Sequence, residues 1–253
     1  VSENPNNIYA EELDDFAECS LPIADWLLPM PDRQVLVIDP NNDCMAGRVD
    51  RLVQKIGEHD LHTAADKAGV LSKPGLTHFQ PTASWALPYD SGQFDLAICA
   101  FISTAADIKR EMLCEIGRVI NADGHLLIVD YLVPGSRLRG KKARQLRAAE
   151  NYINTWMWLR NSQHKRCLGQ DAWKQRLTDS QWDMQQMVTR KVLQDFDTWA
   201  DCYSLTEKNH IRLRAMLVQA PEKAHAFLTP LNSGDRIAFR MIEVFILSTK
   251  KPV

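Results

Sequence analysis

An α/β fold, a three-layer sandwich with helices on both faces of a mostly parallel sheet and an added helical cap, is predicted by three observations. Val35-Leu36-Val37-Ile38 is a continuous apolar run bounded by Pro31 and Pro40, which suits a strand buried on both faces. Two further runs, Phe94-Asp95-Leu96-Ala97-Ile98-Cys99 and Leu126-Leu127-Ile128-Val129, flank a helical stretch that ends near Ile120. Strands that alternate with helical patterns build parallel βαβ units.

With 253 residues the chain has room for one such domain with a sizeable core. A formal charge of −2 and 45% hydrophobic residues point away from a nucleic-acid partner. No apolar run approaches the roughly 18 residues of a membrane span, and the first residues, with Glu3, Pro5, Asn6 and Asn7, do not read as a signal peptide. The expectation is a cytoplasmic protein without a membrane span. Cys19, Cys44, Cys99, Cys114, Cys167 and Cys202 show no paired spacing, so neither a metal site nor a redox dithiol is expected.

Taken in order, residues 8–28 carry apolar positions at helical intervals, and Pro22 splits them into two helices. The first strand follows, then a helix whose buried stripe is Val49, Leu52, Val53 and Ile56. Residues 61–65 and 76–79 read as second and third strands with a shortened crossover between them. After the strand that ends at Asp130, the basic residues Arg137, Arg139, Lys141, Lys142, Arg144 and Arg147 precede a helix marked by Ile153, Trp156, Met157 and Leu159. The basic stretch reads as a solvated helix start or as a docking patch for an acidic ligand. Helices at 169–177 and 207–217, a short helix after Pro221, a strand at 182–192 and a last strand at 236–247, antiparallel at the sheet edge, complete the chain. The expected organisation is 1–30 N-terminal helices, 31–134 core, 135–180 helical cap insertion, and 181–253 the rest of the core with further cap helices.

Leu87-Pro88-Tyr89 leads through Phe94-Asp95-Leu96 into a buried strand, and Asn121-Ala122-Asp123-Gly124 turns into the next. Asp195-Phe196-Asp197-Thr198-Trp199-Ala200 and Arg212-Leu213-Arg214-Ala215-Met216-Leu217 continue the pattern. These segments resemble the class I S-adenosylmethionine (SAM) dependent methyltransferases, in particular the small-molecule branch that includes quinone-biosynthesis enzymes. The resemblance implies a Rossmann-like core with an antiparallel last strand and a cofactor held at the carboxyl edge of the sheet.

It also exposes a departure. Members of that family follow the first strand with an acid and two or three glycines, which let backbone approach the ligand closely. Here Asp39-Pro40-Asn41-Asn42-Asp43 follows, and the nearest glycine is Gly47. The family's acid within that strand falls on Val37, and its acid facing the adenine falls on Ala83. What is left for cofactor binding is Asp39 and Asp43 toward the ammonium, Asn41 as a residue tolerant of left-handed backbone, Asp66 toward the ribose, and Phe101 after the fourth strand. In a second register residues 35–39 form the second strand and Asp39 is the ribose acid; residues 24–30 before it offer no glycine either.

On the substrate side the resemblance places Phe101, Ser103, Thr104, Asp130 and Tyr131 at strand ends, with Tyr131 and His164 as catalytic candidates. Arg160-Asn161-Ser162-Gln163-His164 resembles an Arg-Asp-x-x-His turn of the family with its Asp replaced. His164 reads as a base or as a residue bridging a loop. Tyr152, Trp156, Trp199 and Tyr203 read as walls of a flat apolar pocket or as core.

Three functions follow from this sequence. The leading one is a methyltransferase homologue that no longer methylates and serves as a binding or regulatory subunit, with no cofactor. The alternative is an active SAM-dependent methyltransferase of a small aromatic, quinone-like or polyketide-like substrate. The third is a repurposed non-methyl enzyme such as a cyclase. The partners to expect are a small apolar or aromatic ligand and either a second copy of the chain or an active methyltransferase.

Overall fold

The computed structural model describes residues 34–38, 76–79, 86–104, 107–135 and 139–251. The expected N-terminal helices, the helix at 46–56 and the strand at 61–65 lie outside these residues, as do the site candidates Asp39, Asn41, Asp43, Asp66 and Ala83.

Among the described residues seven strands form one sheet: β1 (Val35–Ile38), β2 (Leu76–Phe79), β3 (Phe94–Ala100), β4 (Ile120–Leu132), β5 (Trp182–Asp195), β6 (Leu231–Ser233) and β7 (Arg236–Lys250). Their order is β2-β1-β3-β4-β7-β5, with β6 paired to β7. β1 runs parallel to β2 and β3, and β3 parallel to β4. β7 is antiparallel to β4 and β5. The sheet is therefore mostly parallel with an antiparallel last strand, as the sequence predicts.

Two strand expectations change. Residues 76–79 pair directly with β1, Val35 opposite Leu76, and so hold the position of a second strand rather than a third. The last strand is not at the edge: β7 is inserted between β4 and β5, and β5 is outermost. The burial of each strand gives the physical reason. β7 is buried at ten of its fifteen residues, from Ile237 to Leu247 and Ser248, whereas β5 alternates polar and charged positions such as Asp183, Gln186, Arg190 and Lys191, as an edge exposed to water requires.

Because neighbouring side chains in a strand point to opposite faces, the strands feed two cores. Val35, Val37, Leu96, Ile98, Val129, Tyr131 and Phe245 face the helices α2 (Lys141–Arg160), α4 (Phe196–Asp201), α5 (Glu207–Val218) and α6 (Glu222–Leu228). Leu36, Ile38, Ala97, Cys99, Ile128 and Ile246 face α1 (Arg110–Val119) and α3 (Gln170–Asp179). α2 and α3, consecutive in sequence, thus pack on opposite faces. Among the described residues no helix is long and apolar enough to cross a membrane.

Two glycines allow close approaches, and the second of them positions the site. A side chain at Gly124 would collide with Ile120 Cγ2 and meet the Asp95 carbonyl at 2.9 Å, so glycine suits the turn within β4. Gly169 packs its backbone on Gly135, where a Cβ would meet Gly135 Cα at 3.1 Å. This contact, with the Val133 N–H donating to the Leu168 carbonyl at 3.3 Å, draws the segment after α2 onto the end of β4.

Candidate functional site

The order of strands reverses at β1: the chain moves outward to β2 on one side and to β3 on the other. A doubly wound sheet binds ligands at the carboxyl ends of its strands beside such a reversal. β1 lies against β3, the Phe-Asp-Leu strand, and so occupies the first-strand position; residues 39–47 follow it directly. On the described side of this edge the relevant parts are the turn after β3, the end of β4, the segment 160–169 and α4.

At the end of β4, Asp130 is fully buried and accepts three hydrogen bonds: from Ser103 N (3.1 Å), Ser103 Oγ (2.5 Å) and Tyr131 N (2.7 Å). Burial pushes its carboxyl up to about 6, against the pull of those bonds. The carboxylate braces the 3₁₀ turn Ile102–Thr104. It also helps hold Phe101 at φ 51°, a left-handed conformation costing a non-glycine residue roughly 1–2 kcal/mol. Phe101 is tied in from other sides: its N–H donates to the Val129 carbonyl (2.6 Å), its carbonyl accepts from Thr104 Oγ1 (2.7 Å), and its ring lies 5.2 Å from that of Tyr131. Since the Ser103 hydroxyl proton is used on Asp130, the Cys167 thiol, 3.2 Å away, donates to Ser103 Oγ. Burial, then the Asp130 charge, pushes the Cys167 thiol well up, which keeps it protonated.

The segment after α2 closes over this turn. Asn161 Nδ2 donates to the Thr104 carbonyl (3.2 Å) while Asn161 Oδ1 accepts from Gln163 N (2.9 Å), and Lys165 N donates to the Ser103 carbonyl (3.0 Å). An amide serves both bonds, whereas an ionised Asp has no donor for the Thr104 carbonyl. The replacement of the family's Asp by Asn161 therefore has a structural rationale here.

His164 is buried beneath the segment, with Nε2 3.1 Å from Asn154 Oδ1. Asn154 Nδ2 donates to the carbonyls of Glu150 (3.1 Å) and Cys167 (3.2 Å), and its Oδ1 accepts from Cys167 N (2.7 Å). That orientation makes Nε2 the protonated nitrogen of His164. Burial, and then the charge of Arg160, lowers the imidazole to about 4, so it is neutral at pH 7.

The aromatic candidates separate into two groups. Trp156 stacks on Trp199 with centroids 4.3 Å apart, and Phe239 meets both edge-on at 5.1 Å. Trp156 is fully buried and donates Nε1 to the Leu213 carbonyl at 3.0 Å. Arg160, one helical turn further along α2, places its guanidinium carbon 4.1 Å from the Trp199 ring centroid and 4.4 Å from that of Tyr203. Its Nε donates to the Trp199 carbonyl (2.7 Å). Tyr152 stands apart, with its hydroxyl donating to the Met216 carbonyl of α5 (2.8 Å).

The structure thus brings Trp156, Trp199 and Tyr203 together, pairs Phe101 with Tyr131, and leaves His164 tied to Asn154. Of two residues central to this arrangement, Asn154 does not emerge from the sequence, and Arg160 emerges only as the first residue of the Arg160–His164 turn, without its place on the Trp199 ring. The spacing of Arg160 four residues after Trp156 was the available signal for the second. For Asn154 no signal exists, because all its partners come from bonds made after folding.

No family model matches the chain. The uncharacterised methyltransferase YcgJ of Bacillus subtilis is 22% identical over 175 residues, 68% of this chain and 65% of that protein. The matched stretch thus spans just under two thirds of the length of the curated relatives, as it does for the uncharacterised protein YafE of Escherichia coli at 64%. Among solved structures, a presumptive methyltransferase from Bacillus halodurans C-125 superposes with a TM-score of 0.68 at 16% identity, over 91% of this chain and 97% of that one. The crystal structure of YcgJ superposes with a TM-score of 0.65 at 17% identity, over 88% of this chain and 94% of that one. With the strand order, these likenesses show the fold to be that of the class I SAM-dependent methyltransferases.

Proposed function

We propose that this chain is a methyltransferase-fold protein that no longer methylates and acts as a small-ligand-binding or regulatory subunit. The observation that carries the reading is the segment after β1. Residues 39–46 contain no glycine, include Pro40, and follow the strand that borders β3 at the reversal of the sheet. Proline removes a backbone donor and fixes φ, which opposes a loop wrapped around an adenosyl group. Val37 and Ala83, where the family carries acids, remove two charge-assisted contacts worth about 1.5–3 kcal/mol each. Together these losses weaken SAM binding by at least roughly a hundredfold. Calorimetry with SAM and S-adenosylhomocysteine tests this directly. The reading requires no saturable heat at micromolar concentrations; micromolar binding lost on Asp39→Ala would replace it with the second reading.

That second reading is an active SAM-dependent methyltransferase of a small aromatic substrate, with SAM as its cofactor. What favours it is the state of the acceptor side, where Asp130 still braces the turn after β3 through three hydrogen bonds. Copurification of this chain with a glycine-loop-bearing homologue would support the subunit role within the first reading.

A further inference from the structure

We infer that the outward sides of α2 and α5 form a docking surface for an anionic lipid bilayer. The inference goes beyond the reading above and holds whether or not SAM or another ligand occupies the carboxyl edge.

Three observations carry it. First, the most exposed large apolar side chains among the described residues gather on these two helices: Ile211 is 60% exposed, Trp158 53% and Val218 43%. The helices are antiparallel neighbours, since the Tyr152 hydroxyl donates to the Met216 carbonyl (2.8 Å) while Trp156 Nε1, further along α2, donates to the earlier Leu213 carbonyl of α5 (3.0 Å). Ile211, Ala215 and Val218 recur at spacings of four and three residues and are all exposed, so they make one ridge on α5, away from the fully buried Leu213 and Leu217. On α2 the exposed Arg144, Ala148, Asn151, Thr155 and Trp158 recur in the same way, away from the buried Ile153, Trp156 and Met157.

Second, cations accompany these ridges. Lys141 and Arg144 at the start of α2 are exposed, as are Lys208 and Arg212 on α5. Opposing charge is scarce. The one carboxylate of α2, Glu150, is 9% exposed and tied to Arg166 (2.7 Å), and the one carboxylate of α5 is Glu207 in its first turn. Each Lys or Arg brought near an anionic bilayer surface strengthens binding about fivefold.

Third, the shape suits a bilayer better than a protein helix. A docked amphipathic helix lays its apolar face into a groove, whereas here the apolar side chains stand on the convex outer sides of helices whose inner sides fill the core. A bilayer interface accepts separate protruding side chains with cations around them, and an indole settles at headgroup level. Because α2 leads directly into the segment that closes over the turn after β3, docking brings the carboxyl edge near the lipid.

The test is sedimentation of the purified chain with vesicles of phosphatidylcholine and phosphatidylserine in equal parts, beside vesicles of phosphatidylcholine alone. Binding is expected to the anionic vesicles, at least about tenfold above the neutral ones, and to weaken as salt rises. Arg144→Ser with Arg212→Ser should weaken it about 25-fold, and Trp158→Ser with Ile211→Ser at least about tenfold. Val188→Ser, at an exposed apolar position on the edge strand β5, should leave it unchanged. Urea melts confirm that the variants fold. Equal binding to both vesicles, no binding to either, or anionic binding unmoved by both double substitutions overturns the surface, as does an equal loss in Val188→Ser. Polyglutamate that binds the chain where the anionic vesicles do not overturns the bilayer assignment in favour of an acidic protein segment.

Discussion

The end of β4 and the end of β5 both bury a charge at the carboxyl edge, and they do so with opposite chemistry. At β4 the charge is the Asp130 carboxylate, enclosed by Ser103 and Tyr131 in hydrogen bonds of 2.5–3.1 Å. At β5 it is the Arg160 guanidinium, laid on Trp199 and Tyr203. Asp130 is surrounded by donors that use it to hold a turn. The β5 cluster keeps a buried indole donor with no acceptor. A charge ringed by hydrogen bonds braces a turn, whereas a charge laid on aromatic faces and bonded to the Trp199 carbonyl fastens α2 to α4. Stability should therefore depend more on the first end than on the second.

The largest effect is expected from Asp130→Ala, which strands two N–H groups and a hydroxyl in the core. At about 1–3 kcal/mol for each unsatisfied group, the loss should be at least roughly 3 kcal/mol in urea unfolding. A loss below 1 kcal/mol would mean that the carboxylate is no brace.

Next come two pH effects of opposite sign. Asp130 is raised, from 3.8 to about 6, so its contribution is fully present below pH 4 and is lost as pH rises to 6. His164 is depressed, from 6.5 to about 4, so its contribution is present above pH 6.5 and is lost as pH falls toward 4. At about 1.4 kcal/mol for each pH unit between ordinary and folded values, each is of order 3 kcal/mol. Between pH 4 and 6.5 they oppose each other and flatten the profile. Asp130→Asn should leave a steeper loss toward acid, and His164→Gln should reverse the slope. Parallel profiles for all three proteins would show that neither group titrates where its burial places it.

A smaller effect is expected at the contact that fastens the 160–169 segment to the brace. Asn161→Asp loses the donor to the Thr104 carbonyl and should cost about 1–2 kcal/mol. Asn161→Asp as stable as the parent would make that bond dispensable. The smallest concerns the β5 side, where Ser204 holds φ 43° in the turn after α4. Ser204→Gly removes the left-handed penalty and should stabilise by about 0.5–1 kcal/mol. A loss of stability would show that the serine side chain does more than tolerate its backbone.

Much of the fold is legible before any coordinates. Val35-Leu36-Val37-Ile38 reads as a doubly buried strand because every residue is apolar, and it lies between β2 and β3 with all four side chains buried. The strand expected at 182–192 spans Trp182–Asp195, and it, not the last strand, lies at the edge, because its polar positions meet water while β7 is buried. The site is less legible. Trp156 and Trp199 look alike in sequence, at helical spacing among apolar neighbours, yet one indole reaches a carbonyl of α5 and the other reaches nothing. His164 suggests a base from its ordinary pKa, while Asn154, ten residues earlier on another element, fixes its tautomer.

The order of apolar runs, turns and helices is written locally, since period, glycine and proline act within a few residues. From this follow the α/β class, the parallel core and the absence of glycine after the first strand. Which strand lies outermost, which indole is paired, and what holds each buried charge were decided by packing between segments more than 60 residues apart, as between Ser103 Oγ and Cys167 Sγ at a separation of 64. Burial and hydrogen-bond geometry belong to the assembled chain, and the same side chain takes a different role in each environment it meets.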